Sequence, residues 1–231
     1  LQVSAGFRVL GTRQHSINTQ VCYNTTTGLV NAVLIYVRIM NVGTRFYTFS
    51  GMILLAALSR VLPHPPNFAP ITAMAIFAGA YLTDKRLACA VPLAAMLISD
   101  IVLEITTGWG FYGGMWTVYS TLALITTLGF ALRGRVLRGQ LRPLDVAATT
   151  LTGSLLFFVL TNAAVWAFGS MYPHTGTGLV ACYTAALPFF GNSLLGDLCY
   201  AALLFGGFAL AERRFSALRL PASEAVSRYN S

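Results

Sequence analysis

Helix-length apolar runs, separated by short polar or proline-bearing loops, set the pattern of the chain from residue 46 onward. Phe46–Leu62 is the first and ends at Pro63-His64-Pro65-Pro66-Asn67-Phe68, where the prolines cannot continue a helix. Ala69–Leu82 is short and rich in alanine, while Leu87–Ile105, Met115–Leu132 and Leu144–Phe168 are longer. After the turn-rich Tyr172–Gly176, Thr177–Phe189 is apolar but short for a span and reads as an interfacial or re-entrant helix. Pro188 and Gly191 are expected to break the backbone there, before the last run, Asn192–Ala211. The pattern predicts an all-α polytopic membrane protein with six transmembrane helices over residues 43–215, and a cytoplasmic tail over 216–231. A β-barrel would show short alternating segments instead.

Residues 1–42 do not share the pattern. They carry Arg, Ser and Thr with little periodicity, and no acidic residue occurs before Asp84. A targeting segment is one reading. The plainer expectation is an N-terminal extension, disordered or non-native, with the native start near Met40 or Met52.

Composition agrees with the membrane class. The chain of 231 residues is 56% hydrophobic and only 10% charged, against about 25% charged residues in soluble domains. Mean hydropathy is +0.67. The net charge of +8 would suit nucleic acid on a solvated basic face, but the basic residues sit between apolar runs, so no nucleic-acid partner is expected. Arg45, Lys85–Arg86, the Arg133/Arg135/Arg138/Arg142 cluster and Arg213/Arg214/Arg219 all fall on one side of a six-span arrangement. Only Arg60 lies near the other side. The asymmetry places both termini in the cytoplasm, with lipid as the surrounding partner.

Within the apolar runs a few polar residues stand out. A carboxylate at mid-membrane costs about 2.5–3.5 kcal/mol on insertion scales and usually faces protein or a water-filled cavity. Asp100 lies about 20 Å along the third run at about 1.5 Å per residue, and Glu104 follows one turn later on the same face. Asn162 and Trp166 occupy the outer half of the fifth run, and Asn192 and Asp197 that of the last. His64 and Asn67 lie in the first outer loop. These eight residues are the candidate ligand site, with Trp109, Tyr112, Trp116, Tyr172 and His174 at the same end. Two plainer readings compete: aromatic residues gather at membrane interfaces anyway, and buried amides join helices. With no Lys or Arg on those three spans to pair them, Asp100 and Asp197 are expected to need a ligand, a metal cation or a proton to balance their charge.

Several chemistries are missing. There is no Walker A sequence, no H-E-x-x-H and no G-x-S-x-G; Gly191-Asn192-Ser193 resembles the last only loosely. The four cysteines (Cys22, Cys89, Cys182, Cys199) have no metal-ligand spacing. No enzyme activity, metal site or cofactor is expected. Small residues recur at packing spacing in Ala69/Ala73, Ala75/Gly79 and Ala90/Ala94, for internal contact or for a partner membrane protein.

The stretches Leu54–Arg60, Pro63–Ala73, Phe77–Tyr81, Ser99-Asp100, Thr161-Asn162 with Trp166, and Leu187–Asn192 with Gly196-Asp197 resemble an uncharacterised family of small bacterial integral membrane proteins. The resemblance covers roughly Ile53–Phe205, and the N-terminal extension departs from it. More distantly, the layout is similar to the substrate-binding S components of energy-coupling-factor (ECF) transporters. That likeness implies an S-component-like six-helix bundle in the bacterial inner membrane. It also implies a vitamin-like or cationic ligand taken from outside, and a transmembrane coupling subunit with its ATPase as partners. The alternative is a scaffolding membrane protein without a ligand.

Overall fold

The computed structural model describes residues 43–219. Two compact units divide the chain, Leu1–Thr44 and Arg45–Ser231; the fold below is that of the second. The expectations for residues 1–42 and for the tail beyond 219 lie outside the described residues.

Every element among the described residues is helical. Helix α1 covers 43–58 and tightens into a 3₁₀ turn, Ser59–Val61, before the prolines. There follow α2 (Ile71–Tyr81), α3 (Lys85–Thr107), α4 (Met115–Phe130), the short α5 (Arg133–Leu137), α6 (Pro143–Phe168) and α7 (Gly176–Ala201). A π turn (Ala202–Gly206) joins α7 to α8 (Gly207–Arg214), and a 3₁₀ turn (Ser216–Leu218) follows. Local chemistry sets the ends. The Asp84 carboxylate accepts the Arg86 and Leu87 N–H groups at the start of α3, and Gly108, at φ 72°, closes it. Pro143 opens α6, and the Thr175 hydroxyl accepts the Gly178 N–H at the start of α7.

Two expectations are corrected here. Thr177–Phe189 is not a separate interfacial helix, and Pro188 and Gly191 do not break the chain. Gly176–Arg214 is one helical run of 39 residues with Pro188 inside it. Proline removes a single backbone hydrogen bond, and in an apolar medium continuing the helix satisfies all the other backbone groups. The same holds for Pro92 inside α3.

Three helical segments are long and apolar enough to cross a membrane: Lys85–Thr107, Pro143–Phe168 and Gly176–Arg214. Helices α2 and α4 are apolar but shorter. Many residues on the outside of the bundle are apolar, including Leu97, Ile98 and Ile101 on α3, Leu151 and Leu155 on α6, and Leu195 and Leu203 beyond. Such a surface suits lipid rather than water, so the chain reads as a membrane protein.

Helix α2 is the centre. Residues 72–80 are all buried, which fits a helix apolar on every side. It crosses α4 at a glycine pair: a Cβ on Gly79 would lie 2.2 Å from the Thr126 carbonyl oxygen, and one on Gly129 would lie 2.4 Å from that of Ile76. The Ala75/Gly79 spacing therefore serves internal packing. Ala90 and Ala94 on α3 stay exposed.

The basic clusters meet at one end of the bundle. The Arg45 guanidinium pairs with Glu212 at 2.8 Å and donates to the Leu218 carbonyl, so residues 216–219, assigned above to the tail, pack on the helices. Arg133 reaches the end of α2, donating to the Gly79 and Leu82 carbonyls at 2.7 and 2.6 Å. Its guanidinium also sits 4.1 Å from the Phe130 ring centroid.

Candidate functional site

The opposite end holds a buried ion pair. The proline-terminated 3₁₀ turn after α1 directs Arg60 inward. Its Nη1 lies 2.6 Å from Asp100 Oδ1 and also donates to Ser99 Oγ at 2.6 Å and to Met96 Sδ at 3.2 Å. Met96, Ser99 and Asp100 share one face of α3 by their spacing of three and four. Tyr119, from α4, donates its hydroxyl to Asp100 Oδ2 at 2.7 Å. Asp100 is fully buried and the Arg60 side chain is 12% exposed. Both carboxylate oxygens are thus engaged, which is what a desolvated ion pair requires.

The α3–α4 loop roofs this pair. Glu104 Oε2 accepts the Gly110 and Phe111 N–H groups at 2.9 and 3.0 Å. Gly110 is pressed so close to α3 that a Cβ there would lie 2.0 Å from the Asp100 carbonyl oxygen. Tyr112, in the same loop, has its phenol pushed above the ordinary value, first by burial and then by the Asp100 carboxylate. Trp109 and Phe111 remain exposed beside it, and Tyr112 itself is half-buried.

A family model described as a family of unknown function (DUF6580) matches residues 40–219. The chain belongs to this family. No curated protein and no solved structure matches it.

In this DUF6580 chain the second intramembrane carboxylate has a different setting. Asp197 of α7 is 4% exposed. Its Oδ1 accepts the Thr72 N–H at 3.0 Å and its Oδ2 the Ser154 hydroxyl at 2.7 Å. Thr72 is the second residue of α2, and Pro70, which precedes that helix, provides no side-chain cap. Asp197 therefore caps α2 from another helix, with its charge at the positive end of the helix dipole. A Cβ on the neighbouring Gly196 would approach the Ala69 nitrogen to 3.0 Å, so glycine there lets α7 close on the backbone leading into α2.

The other expected site residues bond elsewhere. Asn162 donates to the Phe158 carbonyl of its own helix at 2.8 Å, and Trp166 to Pro173 at 3.1 Å. Asn192 donates to the Pro66 carbonyl at 3.1 Å, tying α7 to the proline loop. His64 lies 2.6 Å from the Leu62 carbonyl, and Asn67 holds a left-handed turn at φ 62°. No hydrogen bond between described residues joins any of these to Asp100 or Asp197.

The expectation that Asp100 lacks a protein cation is corrected, because Arg60 supplies it. The pattern along α3, α6 and α7 could not show this, since Arg60 arrives from a turn outside those helices. Tyr119 and Ser154 were also missed as partners. Among the described residues, no cluster of three or more His, Cys, Asp or Glu could hold a metal ion.

Proposed function

We propose that this chain is a membrane transport component that binds a small polar molecule at the end of the bundle opposite the basic clusters. The Arg60–Asp100–Tyr119 network carries the reading: a buried ion pair beneath a glycine-clamped loop, in a segment where ionisable residues are expensive and usually functional. Arg60 balances Asp100, so a neutral or zwitterionic polar ligand fits better than a free cation. The exposed aromatic residues of the roof supply stacking surface. The reading calls for a separate energising module, a coupling subunit with its ATPase; α2 is enclosed by its own chain, so the exposed Ala90/Ala94 face of α3 is the smoother surface for such a partner.

Native mass spectrometry of gently purified protein is the test. A small polar molecule should co-purify with the wild type and be lost from Tyr119→Phe, which removes one hydroxyl and keeps the ring. The same spectrum from both proteins, or no adduct from either, would remove the network from any ligand site.

A scaffolding role without a ligand is the second reading. It is favoured by Asp197, Asn162 and Asn192, each of which already bonds to the protein itself. It predicts no adduct of a small polar molecule.

The topology proposed with either reading has six passes in the bacterial inner membrane and both termini inside, supported by the gathering of basic residues at one end. Cysteines introduced at 63–68 and 106–113 should react with an impermeant reagent from outside, and cysteines at 134–142 should not. Labelling of 134–142 in sealed cells would invert the orientation.

A further inference from the structure

We infer that the groove between α6 and the α7–α8 run, at the basic end, is a binding site for one anionic phospholipid. The groove encloses about 650 Å³. Its walls are apolar, with Val146 and Ala147 on one side and Leu198, Ala202 and Phe205 on the other. Its mouth carries Arg142, Arg213 and Glu212. Neither guanidinium has an ion-pair partner among the described residues, whereas both acidic residues nearby are occupied: Glu212 by Arg45 at 2.8 Å and Asp145 by Arg135 at 2.5 Å. A second recess, about 570 Å³ and lined by Arg135, Arg138 and Arg142, continues from the mouth through Gly139 and Leu141, which line both. A cationic mouth therefore opens onto an apolar channel.

Length and backbone both fit a lipid. From Arg213 to Leu198 the helix rises about 22 Å, enough to follow an acyl chain through one leaflet of a hydrocarbon core about 30 Å thick. The π turn Ala202–Gly206 forms part of the wall. It is the one interruption of α-helical winding within Gly176–Arg214, and such turns often mark functional positions. Ala202 and Gly206 are exposed, so small residues leave room where larger ones would fill the channel. A phosphate at Arg142 and Arg213, with a chain along Ala202 and Leu198, satisfies both chemistries at once. A soluble phosphate would use only the first, and a zwitterionic lipid would put a cation beside the arginines. Basic recesses between helices at this depth suit anionic headgroups on electrostatic grounds.

The full chain, purified in mild detergent and delipidated, is mixed with phosphatidylglycerol, with phosphatidylcholine of the same chains, or with glycerol phosphate, and adducts are counted by native mass spectrometry. One phosphatidylglycerol should be retained in preference to phosphatidylcholine. Arg142→Ala and Arg213→Ala should each reduce that preference about fivefold. Ala202→Trp, which fills the channel from its exposed side and leaves both arginines, should remove the adduct while melting at the wild-type temperature. Equal retention of the two lipids, an Ala202→Trp protein that keeps its adduct, or glycerol phosphate retained as well as phosphatidylglycerol would each overturn the assignment. The last would leave a phosphate site with no role for the channel. The outcome is independent of the Arg60–Asp100 network, which lies at the other end.

Discussion

Replacing Arg60 by alanine should destabilise the bundle by about 3–5 kcal/mol, because it leaves a fully buried carboxylate without its cation. Asp100→Asn should cost a large part of the same amount, since it strands the guanidinium instead. The double replacement Arg60→Met with Asp100→Leu should recover most of the loss, as apolar substitutes for a buried pair are often neutral. Tyr119 would then lack its acceptor, which limits the recovery by about 1–3 kcal/mol. Chemical or thermal unfolding in detergent reads all four proteins. An Arg60→Ala protein with wild-type stability would show that the pair contributes nothing to the fold. If the double variant folds well yet loses the co-purifying molecule, stability and ligand capture are separated, and the pair is kept for binding.

The long helices were legible because hydropathy reports length and apolar character directly. Leu87–Ile105 and Leu144–Phe168 fall within two residues of α3 and α6 at each end. Helix α4 starts at Met115, as expected. The miss at Pro188 has a physical cause. Proline breaks helices readily in water, whereas a helix surrounded by lipid and protein has nowhere better to send its remaining backbone groups. Pro92, inside the single run Leu87–Ile105, carries the same signal. The candidate site was legible only as a set of suspicious residues. Asp100 and Asp197 were found because charge is conspicuous in an apolar run, but their partners come from other elements, and periodicity is blind to those. Arg60 did carry a usable signal: among the described residues it is the one Lys or Arg away from the basic end. Asn162 and Asn192 carry a different lesson: an amide in a membrane helix can bond within the protein, here to the Phe158 carbonyl of the same helix and to the Pro66 carbonyl of the proline loop.

Asp197→Ala should cost about 2–4 kcal/mol, while Asp197→Asn, which keeps the acceptor and loses only the charge at the helix end, should cost about 0.3–2 kcal/mol. The difference follows from what the carboxylate does. Helix α2 is about 16 Å long at about 1.5 Å per residue and buried along residues 72–80, so water cannot satisfy its ends. Asp197 meets the N-terminal end at the Thr72 N–H, and Arg133 meets the C-terminal end at the Gly79 and Leu82 carbonyls. A negative group at one end and a positive one at the other both oppose the helix dipole. Alanine at 197 leaves the Thr72 N–H buried without an acceptor, a penalty of about 1–3 kcal/mol, and removes the dipole term of about 0.3–2 kcal/mol. Asparagine keeps an oxygen for Thr72 and can donate its amide to Ser154 Oγ. The Ser154 proton then has the Thr150 carbonyl as its acceptor, already at 3.0 Å. Melting temperatures of the two variants decide between a structural and a ligand-binding Asp197. If both lose equal stability, the negative charge is what the fold needs. If asparagine is tolerated but abolishes a co-purifying molecule that alanine also loses, Asp197 belongs to a ligand site after all. Tolerance of asparagine with the adduct intact leaves it as the cap that holds a central, short helix inside the bundle.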